Sequence, residues 1–183
     1  MVWRLSFLRR AFAGAAVTWF GALPLATLAA SEPHPSTAVY LCSFFVYLSG
    51  SVLCHQLPAR SFFLWGSQMP VCARCTGIYA GAAVTAIVAT VRTFRTRRGG
   101  PVCPPRADTW VGHYDKRAAL VLAALPTILT LVYEWTTGQT PANWIRAAAG
   151  VPIGVVVAWI VCGLRPEAVE GGGKLASRAC HCC

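Results

Sequence analysis

The stretch from Ala11 to Ala30 is twenty residues without a single charge. As a helix rising about 1.5 Å per residue it would span roughly 30 Å, the thickness of one hydrocarbon core. Four further apolar runs follow, at Thr37 to Leu53, Cys72 to Val91, Ala118 to Trp135 and Ala147 to Leu164. In lipid each segment must satisfy its own backbone polar groups, so runs of this kind are expected as helices. The hydrophobic fraction is 56 % and the charged fraction 12 %, against about 25 % charge in soluble domains. The fold expected is therefore all-α: a polytopic transmembrane helical bundle of about five spans, 11–30, 37–53, 72–91, 118–135 and 147–164. Pro126 is expected to kink the fourth.

Around this domain, which covers residues 11–164, lie a basic lead (1–10), a basic connector (92–117) and a flexible, cysteine-containing tail (165–183). A basic lead before an apolar centre also fits a cleaved signal peptide. Thr27 and Leu28 make a poor small-residue cleavage motif, so a retained helix is expected. A formal charge of +10 on a soluble chain would suggest nucleic acid. Here the arginines sit at the ends of apolar runs, where lipid headgroups and topology account for them. The partner expected is the bilayer, with no nucleic acid.

The chemistry concentrates between Cys54 and Gly81, in CHQLPARSFFLWGSQMPVCARCTGIYAG. Cys54, His55, Cys72 and Cys75 offer a three-thiolate, one-imidazole set of the kind that Zn²⁺ accepts tetrahedrally. Cys72 and Cys75, three apart at a helix start, share one face. Adjacent Cys54 and His55 project differently and need a sharp turn to meet on one ion. The same atoms support a second reading, a membrane dithiol oxidoreductase in which Cys72 and Cys75 are activated by the helix N-terminus and Arg74, with Cys54 as exchange partner. A third is a structural disulfide or silent packing. No reaction is named by the sequence.

Several residues are candidates for supporting that site. Ser61 is read as the cap of a short interfacial helix over Phe62, Phe63 and Leu64, and Arg60 as a headgroup or carboxylate partner. Tyr79, four after Cys75, shares its helical face. Glu134 is the only acidic residue inside any span, a costly position that calls for a partner, with Arg146 or Arg74 the natural ones. Asn143 is read as a cap for the fifth span. Gly77 and Gly81 form a small-xxx-small surface for close helix approach, where a partner protein or a second copy could pack. His34, His113, Asp108 and Asp115 fall in loops and are expected to be solvated.

Five alternating spans would put the motif loop and residues 136–146 on one face, letting Glu134, Asn143 and Arg146 join it. The SEPHPS loop, the connector and the CHCC tail would share the other face, which removes Cys180, His181, Cys182 and Cys183 from the site. Counting Lys and Arg with the N-terminus outside gives ten on the cytoplasmic side and six opposite. That places the motif on the outer face, although Arg4, Arg9 and Arg10 oppose the choice.

The run Cys-His-Gln, Arg-Ser-Phe and Pro-Val-Cys-Ala-Arg-Cys-Thr-Gly-Ile-Tyr-x-Gly resembles the signature of a family of uncharacterised prokaryotic membrane proteins, a domain of unknown function. Asn143-x-x-Arg146 with Gly150 is similar to that family's second block. The resemblance covers roughly Tyr40 to Gly163. It implies a multi-pass protein of a prokaryotic cell (inner) membrane, and an acidic residue in the second block for which Glu134 is the nearest candidate. The family brings no known reaction. The leading expectation is thus a helical membrane protein with a zinc site of Cys54, His55, Cys72 and Cys75 near Arg60, Arg74, Tyr79, Glu134, Asn143 and Arg146. Its rivals are the dithiol oxidoreductase and a non-catalytic subunit packing through Gly77 and Gly81.

Overall fold

A computed structural model describes residues 2–98 and 112–162; the CHCC tail, with Asp108 in the connector, lies outside them. Five helices occupy the five apolar runs: α1 (Val2–Ser31), α2 (Thr37–Leu53), α3 (Ala73–Arg98), α4 (Gly112–Thr137) and α5 (Asn143–Cys162). α1, α3, α4 and α5 contain segments long and apolar enough to cross a membrane, while α2 is shorter at 17 residues. Large apolar side chains stay exposed along all five, among them Phe44, Leu48, Val121, Leu129 and Val161. In water such a surface would be untenable; in a bilayer it faces lipid. The chain folds as an all-α bundle.

The tightest contact is between α3 and α5, which run parallel. Gly77 and Gly81 on α3 lie against the Ala147 and Val151 carbonyls, and Gly150 and Gly154 on α5 lie against those of Arg74 and Ile78. A Cβ at any of the four would overlap a carbonyl oxygen, so each helix presents a Gly-xxx-Gly face to the other. The surface expected to receive a partner protein or second copy at Gly77 and Gly81 is thus covered by the chain's own α5.

The segment between α2 and α3 is not a short helix capped by Ser61. After a 3₁₀ turn at Pro58–Arg60 it forms an antiparallel hairpin, β1 (Ser61–Leu64) and β2 (Ser67–Cys72). Trp65 (φ 50°) and Gly66 (φ 80°) both sit in the left-handed region, the combination that two-residue hairpin turns require. The register is irregular between Ser61 and Phe63, so β2 bulges around Pro70, which has no N–H to donate to a ladder. Ser61, paired with Cys72, is almost fully buried, and its hydroxyl donates to the Leu57 carbonyl at 3.0 Å.

The hairpin also fixes the course of the chain. Arg9, Arg10 and Ala13 of α1 share a cavity with Ala89, Thr90, Thr93 and Phe94 of α3 and Cys162 of α5. Ten residues further along α1, Trp19 meets Tyr79 edge to face, and Leu23 packs against Cys54, Met69 and Val71. α1 is therefore antiparallel to α3, and its last turns run past the start of α3 alongside α2. α2 lies back along α1, with the Ser43 hydroxyl donating to the Ala26 carbonyl at 3.0 Å, and delivers Cys54 to the start of α3. The segment 32–72 thus leaves from and returns to one end of the bundle. In strict alternation α1 would begin at the same end as the motif loop; the structure puts its basic N-terminal end with the ends of α3 and α5.

Candidate metal centre and its ion-pair neighbour

Cys54 caps α2 in an extended conformation (φ −148°, ψ 140°), its N–H still donating to the Gly50 carbonyl at 2.8 Å. Two residues later Gln56 takes φ 47° and reverses the chain. The Gln56 side-chain amide donates to the carbonyls of Tyr47 (2.9 Å) and Pro70 (2.7 Å), and Gln68 donates to the Gln56 carbonyl (2.6 Å). These bonds tie β2 to the end of α2. Gly50 is required there, because a side chain would strike the Pro70 carbonyl.

Cys72 closes β2 and Cys75 lies in the first turn of α3. The sulfurs of Cys54, Cys72 and Cys75 all lie within 4.8 Å of one another, and all three thiols are free. Tetrahedral thiolates at about 2.3 Å from a zinc ion stand roughly 3.8 Å apart, so this spacing needs only a small contraction to close on one ion. The Cys72 N–H donates to the Cys54 sulfur at 3.2 Å, the kind of bond that steadies a thiolate. The thiol of Cys75 donates to Cys72 and, against the effect of burial, pulls its pKa down to about 5. Met69, Val71 and Leu23 wall the sulfurs, with Trp19 and Tyr79 packed alongside.

His55 does not join them. It is exposed, and the turn at Gln56 brings the neighbouring amide inward instead. Tyr79 lies beside the group through its edge-on contact with Trp19 (centroids 6.1 Å).

Arg74 leaves α3 between the two cysteines but points to the other side, toward α4. There Glu134 is met by three guanidinium groups: Arg146 at 2.6 Å, Arg74 at 3.2 Å and Arg60 at 3.6 Å. The Glu134 and Arg146 side chains are 3 % and 2 % exposed, Arg74 18 % and Arg60 42 %. Arg74 also donates to the Thr130 hydroxyl at 3.1 Å. The short Arg146–Glu134 approach is an ion pair without hydrogen-bond alignment: Arg146 Nη2 has no hydrogen-bond partner, nor do Arg146 Nε, Arg74 Nε and Glu134 Oε2. Asn143 is not a side-chain cap. Ala142 supplies the first helical carbonyl, and the Asn143 amide donates to the Ser61 carbonyl at 2.9 Å, fastening α5 to the hairpin. Sequence reasoning missed Gln56, Gln68, Trp19 and Thr130. Only Gln56, inside the Cys-His-Gln triplet, carried any signal.

The geometry defines a helical membrane protein with a cysteine-bearing hairpin at one end of its bundle. The chain belongs to the predicted membrane protein family DUF2085, whose model matches residues 54–160, from the first clustered cysteine almost to the end of α5. It is similar to an uncharacterized protein of Methanocaldococcus jannaschii, 50 % identical over 50 residues that make up 27 % of this chain and 30 % of that one. It is also similar to an uncharacterized protein of Methanothermobacter thermautotrophicus, 57 % identical over 30 residues, 16 % of this chain and 27 % of the other. The chain thus spans less than a third of the length of either relative. No solved structure matches.

Proposed function

We propose that this protein holds a metal ion, zinc by the softness of its ligands, on the thiolates of Cys54, Cys72 and Cys75. The observation that carries the reading is the convergence of three free sulfurs from three backbone segments, all within 4.8 Å. Packing alone does not call for three thiols to face one another. With His55 exposed, the protein supplies three ligands and leaves a fourth position to water or to a small ligand, the arrangement of zinc sites that do chemistry. Bound there, the ion would supply Lewis acidity, while Gln56, Gln68 and the Cys72 N–H would hold the sulfurs in place.

The reading extends to topology. If α1, α3, α4 and α5 cross and the segment 32–72 returns on one face, only Arg60, Arg74 and Arg146 of the sixteen basic residues lie on the hairpin face. In chain order the other thirteen belong to the lead, the connector with its flanking helix ends, and the tail, which that topology assigns to the opposite face. That asymmetry supports a cytoplasmic N-terminus and a hairpin on the outer face of a prokaryotic cell membrane. Arg4, Arg9 and Arg10, which opposed this side under strict alternation, now agree with it.

A second reading has its own observation. Cys72, with its pKa pulled down to about 5, beside the Cys75 thiol is a reactive dithiol. Forming their disulfide would release two electrons and one proton to an oxidised acceptor of the quinone class. Elemental analysis of detergent-purified protein separates the two. About one zinc per chain, lost in Cys72→Ser, supports the first reading. No metal, with Cys72 and Cys75 cycling as a reversible disulfide, overturns it and supports the second.

A further inference from the structure

We infer that the guanidinium cluster around Glu134 is a binding site for a phosphate-type oxyanion, presented at the hairpin face of the membrane. Three guanidinium groups surround one carboxylate, leaving a formal charge of +2. A structural ion pair needs one cation; Arg74, 18 % exposed, adds a second that is largely removed from water, and Arg60, 42 % exposed, adds a third at the mouth of the cluster. The donors that remain are specific. Arg146 Nε and Arg74 Nε have no hydrogen-bond partner, although the Arg146 side chain is only 2 % exposed; Arg146 Nη2 is held by its ion pair with Glu134, whose Oε2 also has no hydrogen-bond partner. Buried N–H groups are otherwise almost always satisfied, so an unpartnered set at this depth marks the place of an acceptor.

Two features add to this. α5 carries no acidic residue in its first turn, so the amides at its N-terminus, one turn from Arg146, strengthen the positive potential. The cluster is closed at Arg146 and opens outward through Arg60, whose side chain is 42 % exposed. An anion can therefore enter from the water or headgroup side. Planar guanidinium forks match tetrahedral oxyanions bidentately. A phosphate monoester at neutral pH carries about −1.5 to −2, which balances the residual charge. Free phosphate and the headgroup of a phosphomonoester lipid share this chemistry. The site is separate from the thiols: Arg74 points to α4, whereas the sulfurs face α1 and the hairpin. It stands whether or not Cys54, Cys72 and Cys75 hold a metal.

The test uses the full chain in a neutral detergent. Calorimetric titration with inorganic phosphate is compared with chloride at equal ionic strength. Short-chain phosphatidic acid is compared with phosphatidylcholine of the same chain length. At least one phosphate probe is expected to saturate above its control, and Arg60→Gln and Arg146→Lys each to weaken it about tenfold, the loss of one charge-assisted hydrogen bond. Arg60 is half exposed, so its variant is expected to melt like the parent. Saturation by inorganic phosphate assigns a soluble ligand, and saturation by phosphatidic acid alone assigns a lipid. Neither probe exceeding its control, or both variants binding as the parent does, overturns the proposal.

Discussion

Arg146 and Glu134 lie 2.6 Å apart, nitrogen to oxygen, on neighbouring helices α5 and α4, with both side chains almost wholly buried. Removing the Glu134 charge strands Arg146, whereas Glu134 would keep Arg74 and Arg60 if Arg146 were lost. Glu134→Gln leaves Arg146 and Arg74 facing each other and is expected to cost about 3–5 kcal/mol, the range for breaking a buried pair from one side. Arg60→Gln, on the half-exposed arm, is expected to cost under about 1 kcal/mol. Thermal unfolding in detergent measures both, and equal losses would contradict the difference in burial.

The glycines of α3 and α5 give a sharper contrast. Gly77→Ala and Gly154→Ala each drive a methyl into a carbonyl of the facing helix and are expected to cost about 1–3 kcal/mol or to part the two helices. Gly14→Ala and Gly21→Ala meet nothing within 4 Å and should melt with the parent. If all four behave alike, the close packing of α3 on α5 is refuted.

Gln56 holds the bulged strand to α2 through two carbonyls. Gln56→Ala frees β2 to shift and carries Cys72 with it. Metal affinity is expected to fall about 10- to 100-fold while helicity is retained, the usual effect of losing a bond that orients ligands. Competition with a chelator reads the affinity, and circular dichroism the helices.

Cys72 is the group whose charge depends on pH in an unusual range. Its pKa is lowered, so the thiolate persists as pH falls until about 5. In metal-stripped protein, alkylation of Cys72 mapped by mass spectrometry should stay near its plateau at pH 7 and fall by half near pH 5. An ordinary thiol would lose half its rate near about 8.5. A midpoint at the ordinary value would remove the argument for a stabilised thiolate.

The sequence made the helices plain because charge-free runs of this length have one solution in lipid. It also brought Glu134 and Arg146 to the depth of the motif, since an isolated acid in an apolar helix needs a cation. The hairpin was obscured because Ser61-Phe62-Phe63-Leu64 is a short apolar run with no clear period, equally readable as helix or strand. The signal lay in Trp65-Gly66, a turn pair with an aromatic where Asn or Asp is usual. The return of α2 was hidden by its length: 17 residues pass for a span, and only the tertiary placement of Cys54 beside Cys72 shows where it ends. His55 needed a sharp turn to share one ion with Cys54; His55 is exposed instead, and the left-handed residue is Gln56, whose own amide turns inward.

X-ray absorption at the metal edge would read the three-sulfur centre itself. Protein purified with its native metal, or reloaded with zinc, is predicted to show three sulfurs at about 2.3 Å and one lighter ligand. His55→Ala should leave that spectrum unchanged, and Cys54→Ser should reduce the sulfur count or abolish binding. A metal held by oxygen and nitrogen alone, or no retained metal with Cys72 and Cys75 joined in a disulfide, would contradict it.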